Sequence, residues 1–212
     1  SSEKRKRLIE LAREHGYLYV EDAPYRRLRY WGEAQPTLHE NDADVVLHMS
    51  SFSKLVGPGP RLGYVLGNVA LLQRLAKVAE DTYITPSLFS HGIVYEFCRA
   101  GLLEGQIERL KALYAPRLEA ILAALDAQLP EAASTRPDGG FFLSLTLPPG
   151  VATMDVRARA AEHNLTLADG RGFFADGGGE RFLRLPYCAL TEAELEEGVR
   201  RLAGVVNQLR NA

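Results

Sequence analysis

The sequence predicts an α/β fold in which a layered α/β part is followed by a smaller α+β part. Residues 3–80 alternate helical and β-rich runs, which is typical of a layered α/β domain. Residues 88–129 are almost continuously helical, and the rest of the chain alternates short β runs with helices. We therefore place a first part at residues 1–102 and a second part, with a long connecting helix, at residues 103–212.

The first part begins with a helix and contains three short β runs. Apolar residues recur at helical spacing over residues 3–15, and a glycine then ends the helix. We expect strands at 17–20, 45–49 and 62–66, and a helix at 69–80. The acidic pair Glu21 and Asp22 follows the first of these strands, and Pro24 then breaks the run. An acidic pair is thus expected at the C-terminal end of a strand.

The second part begins with a helix at residues 103–129, long enough to connect two domains. Strands are expected at 141–147, 165–167 and 182–185, and helices at 155–163 and 191–209. Thr191 and Glu194 start the last helix with a capping box. This helix has an apolar face that we expect to be buried, formed by Leu195, Val199, Leu202 and Val206.

The composition excludes several classes of protein. The chain of 212 residues is 46% apolar and 25% charged, unlike a disordered or collagen-like chain. Its 25 Lys and Arg residues do not exceed its 27 Asp and Glu residues, which disfavours a nucleic-acid partner. No apolar run approaches the ~18 residues of a membrane span, and the chain opens without a signal-peptide pattern. We therefore expect a cytoplasmic protein without a membrane partner.

The cysteines and histidines give no metal-binding pattern. Cys98 and Cys188 lie far apart and outside any Cys-x-x-Cys or Cys/His spacing, and the five histidines show no ligand spacing either. We expect no metal site, and buried thiols in a reducing compartment rather than a disulfide.

Hydroxyl and basic side chains gather around the segment that follows the second β run. Residues 50–54 read Ser-Ser-Phe-Ser-Lys, and residues 57–64 read Gly-Pro-Gly-Pro-Arg-Leu-Gly-Tyr. This combination is typical of an anion site that also holds a nucleophile. Residues 22–25, Asp-Ala-Pro-Tyr, add a carboxylate and a phenol at the end of a neighbouring strand, where open α/β sheets bind ligands. Two strand ends are therefore expected to face one ligand.

These motifs resemble those of the fold-type I, pyridoxal-phosphate-dependent aminotransferases of classes I and II. Asp-x-x-Tyr (22–25), Ser-x-Ser-Lys (51–54) with Arg61, Pro-x-Gly-Gly-x-Phe (137–142) and Leu-Arg-Leu (183–185) follow the family's order. The residues of these motifs are most similar to those of the aminoadipate, aromatic and branched-chain enzymes. The resemblance implies a large pyridoxal-phosphate-binding domain of three α/β/α layers, represented by its C-terminal part, followed by the small domain. It also implies exchange of an amino group between an amino acid and a 2-oxo acid.

The resemblance further implies roles for three residues that contact the cofactor ring or its aldehyde. Lys54 would attach pyridoxal 5'-phosphate through its amine and shuttle the α-proton of the substrate. Asp22 would keep the ring nitrogen protonated by charge pairing. Tyr25 would hydrogen-bond the 3-oxygen of the ring. These three are the expected catalytic residues.

Anionic groups of cofactor and substrate would be bound by four other residues. Ser51, Ser53 and Arg61 suit the phosphate, because hydroxyl donors and a guanidinium fork match a doubly charged acceptor. Arg184, in the Leu-Arg-Leu motif, would bind the α-carboxylate of the substrate in the way the family does.

Structural roles are the alternatives at several positions. Asp22 could belong to an ordinary turn before a proline, and Tyr25 could be a half-buried packing residue. Arg184 could form a surface ion pair of little energetic value. Phe173 and Phe174 either line the mouth of a substrate site or pack against the fold.

Members of the family are about twice as long as this chain, and the resemblance covers only their C-terminal half. We therefore expect a fragment with half a pocket, weak or absent cofactor binding and no turnover by itself, whose parent enzyme is a homodimer. Two other functions stay open: an aminotransferase-like effector domain of a transcription regulator, and a decarboxylase or lyase of the same fold type.

Overall fold

The computed structural model describes residues 2–211, which form two compact units. The first unit ends at Leu110 and the second begins at Lys111. Within the described residues, each unit contains a three-stranded sheet. The division lies inside a long helix, whereas the sequence analysis places the domain boundary at the start of that helix.

Three strands and four helices of the described chain belong entirely to the first unit. The strands are β1 (Tyr19–Asp22), β2 (Val46–Ser51) and β3 (Gly63–Leu66). The helices are α1 (Ser2–His15), α2 (Leu38–Asn41), α3 (Val69–Tyr83) and α4 (Leu88–Arg99). Helix α5 (Leu102–Gln128) continues into the second unit.

Parallel pairing of β1 with β2 brings the C-terminal ends of these two strands to one edge of the sheet. Tyr19 pairs with Val46 and Asp22 pairs with Met49. The N–H of Ala23 extends the pairing by donating to the carbonyl oxygen of Met49 at 2.9 Å. Because β1 and β2 run parallel, the segments that follow them leave the sheet from neighbouring positions. Strand β3 returns antiparallel to β2.

The first strand begins two residues later than the sequence predicts and includes both acidic residues. The N–H of Tyr17 donates to the carbonyl oxygen of Ala12 at 3.1 Å, and Gly16 has a φ of 67°. Tyr17 therefore belongs to the C-terminal cap of α1 rather than to the strand. As a consequence, Glu21 and Asp22 lie inside β1 and point to opposite faces of the sheet.

Glu21 is the less exposed acid of the pair, and it connects β1 to three other elements. Its side chain is 12% exposed, and its two carboxylate oxygens lie 3.0 and 3.1 Å from the N–H of Leu38 at the start of α2. Nδ1 of His48 on β2 lies 2.9 Å from the same carboxylate, and Nη1 of Arg5 on α1 lies 3.3 Å away. Burial raises the pKa of Glu21, but the hydrogen bonds from Leu38 and His48 outweigh it and hold this pKa below its usual value.

The second unit contains the other sheet, two further helices and the C-terminal part of α5. Its strands are β4 (Ala133–Ser134), β5 (Phe142–Thr146) and β6 (Phe182–Pro186), all antiparallel. Its helices are α6 (Thr153–Glu162) and α7 (Glu192–Arg210), and Thr191 with Glu194 forms the predicted capping box. The predicted apolar face of α7 is buried, together with Leu143, Leu145, Leu183 and Leu185 of the sheet.

The strand predicted at residues 165–167 is wrong, because the backbone groups of this segment bond to α6 instead of to a strand. The N–H of Leu165 donates to the carbonyl oxygen of Ala160 at 2.9 Å, and Nε of Arg157 donates to the carbonyl oxygen of Leu167 at 3.0 Å. Both leucines line a small apolar cavity of about 100 Å³ beside α7. The apolar pattern therefore reflects burial without strand pairing.

The two cysteines do not form a disulfide, and no helix could span a membrane, within the described chain. Within the described residues, Cys98 and Cys188 are not joined in a disulfide, and both are half-buried rather than fully buried as expected. Between residues 2 and 211, none of the helices combines the length and the apolar composition that a bilayer crossing requires.

The lowered pKa of Glu21 leads us to expect a specific pH dependence of the free energy of unfolding of the first unit. Because the pKa of Glu21 is lower in the folded chain, the stabilisation is present above the unfolded pKa of about 4.3 and disappears as the pH falls through the folded pKa. We expect Glu21→Gln to lower the free energy of unfolding by about 1–3 kcal/mol at neutral pH, because it weakens buried hydrogen bonds. The loss of stability of the first unit between about pH 7 and about pH 3.5 should also be smaller in this variant.

Urea unfolding followed by the fluorescence of Trp31, the single tryptophan, measures this difference. Glu10→Gln is the control, because Glu10 is a 63% exposed acid of α1 that pairs with Arg7. Equal pH profiles for Glu21→Gln and Glu10→Gln would contradict the role given to Glu21.

We expect replacement by alanine to change stability in opposite directions at two glycines of the second unit. A Cβ at Gly204, on the exposed side of α7, would meet nothing within 4 Å, so Gly204→Ala should stabilise the helix by about 1 kcal/mol. A Cβ at Gly170 would lie 2.3 Å from the carbonyl oxygen of Phe182, so Gly170→Ala should destabilise the unit. Thermal unfolding followed by circular dichroism measures both changes, and a lower melting temperature for Gly204→Ala contradicts the first expectation.

Candidate functional site

A tight turn after β2 carries the candidate lysine. The carbonyl oxygen of Phe52 accepts the N–H groups of residues 55–57 at 2.8 to 3.2 Å, and the N–H of Phe52 donates to the carbonyl oxygen of Leu62 at 3.0 Å. These bonds close the 3-10 turn Phe52–Lys54 and tie its start to the segment that enters β3. The turn therefore holds Lys54 directly beyond the end of a central strand.

Lys54 and Tyr25 meet although they follow different strands. Nζ of Lys54 lies 5.6 Å from the centre of the Tyr25 ring, and both side chains are half-buried. This distance is within the range of a cation–π contact. Tyr25 is held in the turn after β1, where its carbonyl oxygen accepts the N–H of Leu28 at 2.8 Å. The parallel pairing of β1 and β2 thus places an amine beside a phenol.

Asp22 ends β1 on the face opposite to Glu21. Its side chain is exposed, and within the described residues it forms no hydrogen bond or ion pair. The backbone just beyond it is fixed by the hydrogen bond from Ala23 to Met49 and by Oγ of Ser50, which donates to the carbonyl oxygen of Ala23 at 3.2 Å. The Asp22 carboxylate is therefore held at the strand end and is available to a cationic or N–H group.

Ser51, Ser53 and Arg61 flank the same turn but do not contact one another through hydrogen bonds in residues 2–211. The two serines are half-buried, and Arg61 is exposed. Arg61 has a φ of 52°, which is rare for a residue other than glycine and is found preferentially at functional positions. The turn therefore presents two hydroxyl groups and one guanidinium group, which are suitable donors for an anion.

Arg61 also lines a cavity that the sequence analysis does not predict. This cavity of about 500 Å³ lies between the turn and the N-terminus of α4, with Ser87, Ser90 and His91 in its wall. Ser87 caps α4 by accepting the N–H of Ser90 at 3.3 Å. The Thr-Pro-Ser sequence before this helix is a recognisable cap signal, but its proximity to Arg61 depends on tertiary structure.

Arg184 lies on β6 of the second unit, opposite Ser144 of β5. Its Cζ atom lies 3.5 Å from the centre of the Phe142 ring and 5.2 Å from that of Phe173. It forms no ion pair with any residue of the described chain, unlike the surface ion pair considered as an alternative. A half-buried guanidinium group without an anionic partner is suited to bind a carboxylate from solution.

The chain belongs to the class I and II aminotransferase family, because the model of that family matches residues 1–202. The match includes both units and all seven candidate residues, and it confirms the family resemblance inferred from the motifs.

Individual relatives agree with this family assignment. The chain is 36% identical over 211 residues to 2-aminoadipate transaminase from Thermus thermophilus, covering 97% of this chain and 53% of that protein. It is 30% identical over 210 residues to aromatic-amino-acid aminotransferase 1 from Thermococcus litoralis, covering 98% of this chain and 50% of that protein. The chain therefore spans about half the length of the curated relatives it matches.

A solved structure confirms the α/β fold class. The crystal structure of the alpha-aminoadipate aminotransferase LysN from Thermus thermophilus, complexed with N-(5'-phosphopyridoxyl)-L-leucine, matches with a TM-score of 0.92 and 33% identity. The match covers 100% of this chain and 55% of that chain.

Proposed function

We propose that this chain carries the lysine-bearing part of an aminotransferase that uses pyridoxal 5'-phosphate to exchange an amino group between an amino acid and a 2-oxo acid. The contact between Lys54 and Tyr25 is the observation that carries the proposal. Family membership and the names of the relatives support the reaction class.

The side chains around the turn fit the chemistry of this cofactor. The Asp22 carboxylate suits a protonated ring nitrogen, and the Tyr25 hydroxyl group suits the 3-oxygen. The hydroxyl groups of Ser51 and Ser53 and the guanidinium group of Arg61 suit a phosphate dianion. When bound, the cofactor supplies an electron sink that no protein side chain provides.

Lys54 performs two tasks in this proposal. Its amine would hold the cofactor covalently until the substrate amine displaces it, and the released Nζ would then accept the α-proton of the substrate and deliver it to a neighbouring atom as the amino group is exchanged. Both tasks require an amine that is fixed in place, and the 3-10 turn and the Tyr25 ring provide that restraint. Tyr25 therefore orients the amine in addition to binding the ring oxygen.

Arg184 binds the carboxylate that all substrates of the reaction share. Amino acids and 2-oxo acids both carry a carboxylate next to the reacting carbon, so one guanidinium group serves both halves of the exchange. Its planar pair of N–H donors matches a carboxylate in bidentate geometry.

We also propose a homodimeric, cytoplasmic parent enzyme with small-molecule substrates and neither nucleic acid nor membrane as partner. Ile84, Leu88 and Phe89 are 75–81% exposed, and neighbouring exposed apolar residues of this size are typical of an interface. Cys98 and Cys188 are not paired in a disulfide within the described residues, which fits a reducing compartment. The net charge of −2 gives no electrostatic attraction to phosphate backbones.

The decarboxylase and lyase alternatives would use the same lysine. In the longer parent enzyme, transfer of the amino group from L-leucine to 2-oxoglutarate, measured as L-glutamate, separates transamination from release of carbon dioxide or of a substrate side chain. The family match and the relatives' names favour transamination.

Covalent trapping tests the assignment of Lys54. The purified chain is mixed with pyridoxal 5'-phosphate, reduced with borohydride and digested, and the labelled peptide is identified by mass spectrometry. We expect weak binding, with the label on Lys54 and a corresponding absorption band that Lys54→Ala abolishes. The control is Lys77→Ala, because Lys77 is a 65% exposed lysine of α3 that pairs with Glu80 and Asp81. A label spread over many lysines, or unchanged labelling of Lys54→Ala, would falsify the assignment.

A further inference from the structure

The face of the second sheet that carries Arg184 also carries Phe142. Register pairs Ser144 with Arg184 and Phe142 with Pro186, so Phe142 and Arg184 are diagonal neighbours on adjacent strands. A diagonal pair of this kind is within reach of an aromatic ring and a long side chain. The 3.5 Å between Cζ and the Phe142 ring centre is a close stacking distance.

A second ring reaches Arg184 from outside the sheet. Phe173 ends the 3-10 turn Arg171–Phe173, and its ring packs edge-on against Phe182 of β6 with centroids 6.0 Å apart. The backbone of Gly170 comes so close to Phe182 that any Cβ at this position would clash with it. The turn is therefore fixed against β6, and Phe173 is fixed with it at 5.2 Å from the guanidinium carbon.

Neighbouring arginines use their N–H groups for internal bonds, whereas Arg184 forms none of these bonds within the described residues. Arg171 and Arg157 pair with Asp169 at 2.8 and 3.4 Å, and Arg181 donates to the carbonyl oxygen of Leu147 at 2.9 Å. Within residues 2–211, Arg184 has its described contacts with two aromatic rings. A ring that stacks on the guanidinium plane restrains it without occupying the N–H donors at its edge.

We propose that Phe142 and Phe173 are positioning residues that hold the Arg184 guanidinium group ready for a substrate carboxylate. The inference rests on the proposed role of Arg184. A free arginine loses rotamer freedom when it binds an anion, and the two rings remove much of that freedom beforehand. The aromatic residues therefore act on carboxylate affinity through Arg184 and not through contact with the reacting atoms.

The test follows the ¹⁵N-labelled Nε–H signal of Arg184 while 4-methyl-2-oxopentanoate, the 2-oxo acid of leucine, is added to the full chain. Arg184→Lys identifies the signal by removing it. We expect Phe173→Leu to raise the Kd for the 2-oxo acid by about threefold to tenfold, the size expected for loss of one cation–π contact. Phe173→Tyr keeps a ring and should stay within about twofold of the unchanged chain.

Phe174→Leu is the matched control. Phe174 precedes the same glycine-rich segment and packs edge-on against Phe182 at 5.2 Å, but the ring contacts described for Arg184 are with Phe142 and Phe173. We expect Phe174→Leu to leave the Kd unchanged. Equal effects of Phe173→Leu and Phe174→Leu, an unchanged Kd in Phe173→Leu, or failure of Phe173→Tyr to restore binding overturns the positioning role.

An Arg184 signal that does not respond to the 2-oxo acid in the unchanged chain also overturns this inference. That result is distinguishable from failure of the proposed function, because labelling of Lys54 by the cofactor is measured separately and involves the first unit.

Discussion

The first unit depends on the hydrogen bonds of the part-buried Glu21 carboxylate. This carboxylate joins β1 to His48 of β2 and caps the N-terminus of α2, and Arg5 of α1 adds a further contact. A carboxylate only accepts hydrogen bonds, so Nδ1 of His48 must carry hydrogen in this pair. Because Glu21 faces inward and successive side chains of a strand point to opposite faces, the next residue, Asp22, faces outward. Asp22 is also the last residue of β1, so it lies where β1 and β2 end.

The two units contribute different chemistry. In the first unit, Lys54 and Tyr25, which follow parallel strands, are brought together near the end of β1, where Asp22 stands, and beside a turn that carries hydroxyl groups. In the second unit, the guanidinium group of Arg184 contacts two aromatic rings, and within residues 2–211 it forms no ion pair.

Local patterns in the sequence were sufficient to predict most helices, the capping box at Thr191 and the motif around Lys54. They were insufficient where tertiary structure determines the outcome. The run at residues 165–167 is apolar because it borders α7, and a short apolar run does not reveal whether a strand lies beside it. The stacking of Arg184 on Phe142 depends on strand register between residues far apart in sequence. Helix α2 was not predicted, although Thr37 and Glu40 form a capping box, because it is only four residues long.

The alternation of Glu21 and Asp22 has a consequence for how this sequence can evolve. A shift of β1 by one residue would exchange the faces of the two acids. It would bury Asp22, the carboxylate proposed to bind the cofactor, and expose Glu21, the carboxylate that joins the secondary-structure elements. Each face would still carry an acidic residue, so the amino-acid composition would not reveal the loss of these contacts. The connection from Gly16 to Leu18, which sets the phase of β1 after α1 ends, is therefore constrained in length even though its own side chains take no part in the chemistry. Insertions should be tolerated elsewhere on the surface sooner than in these three residues.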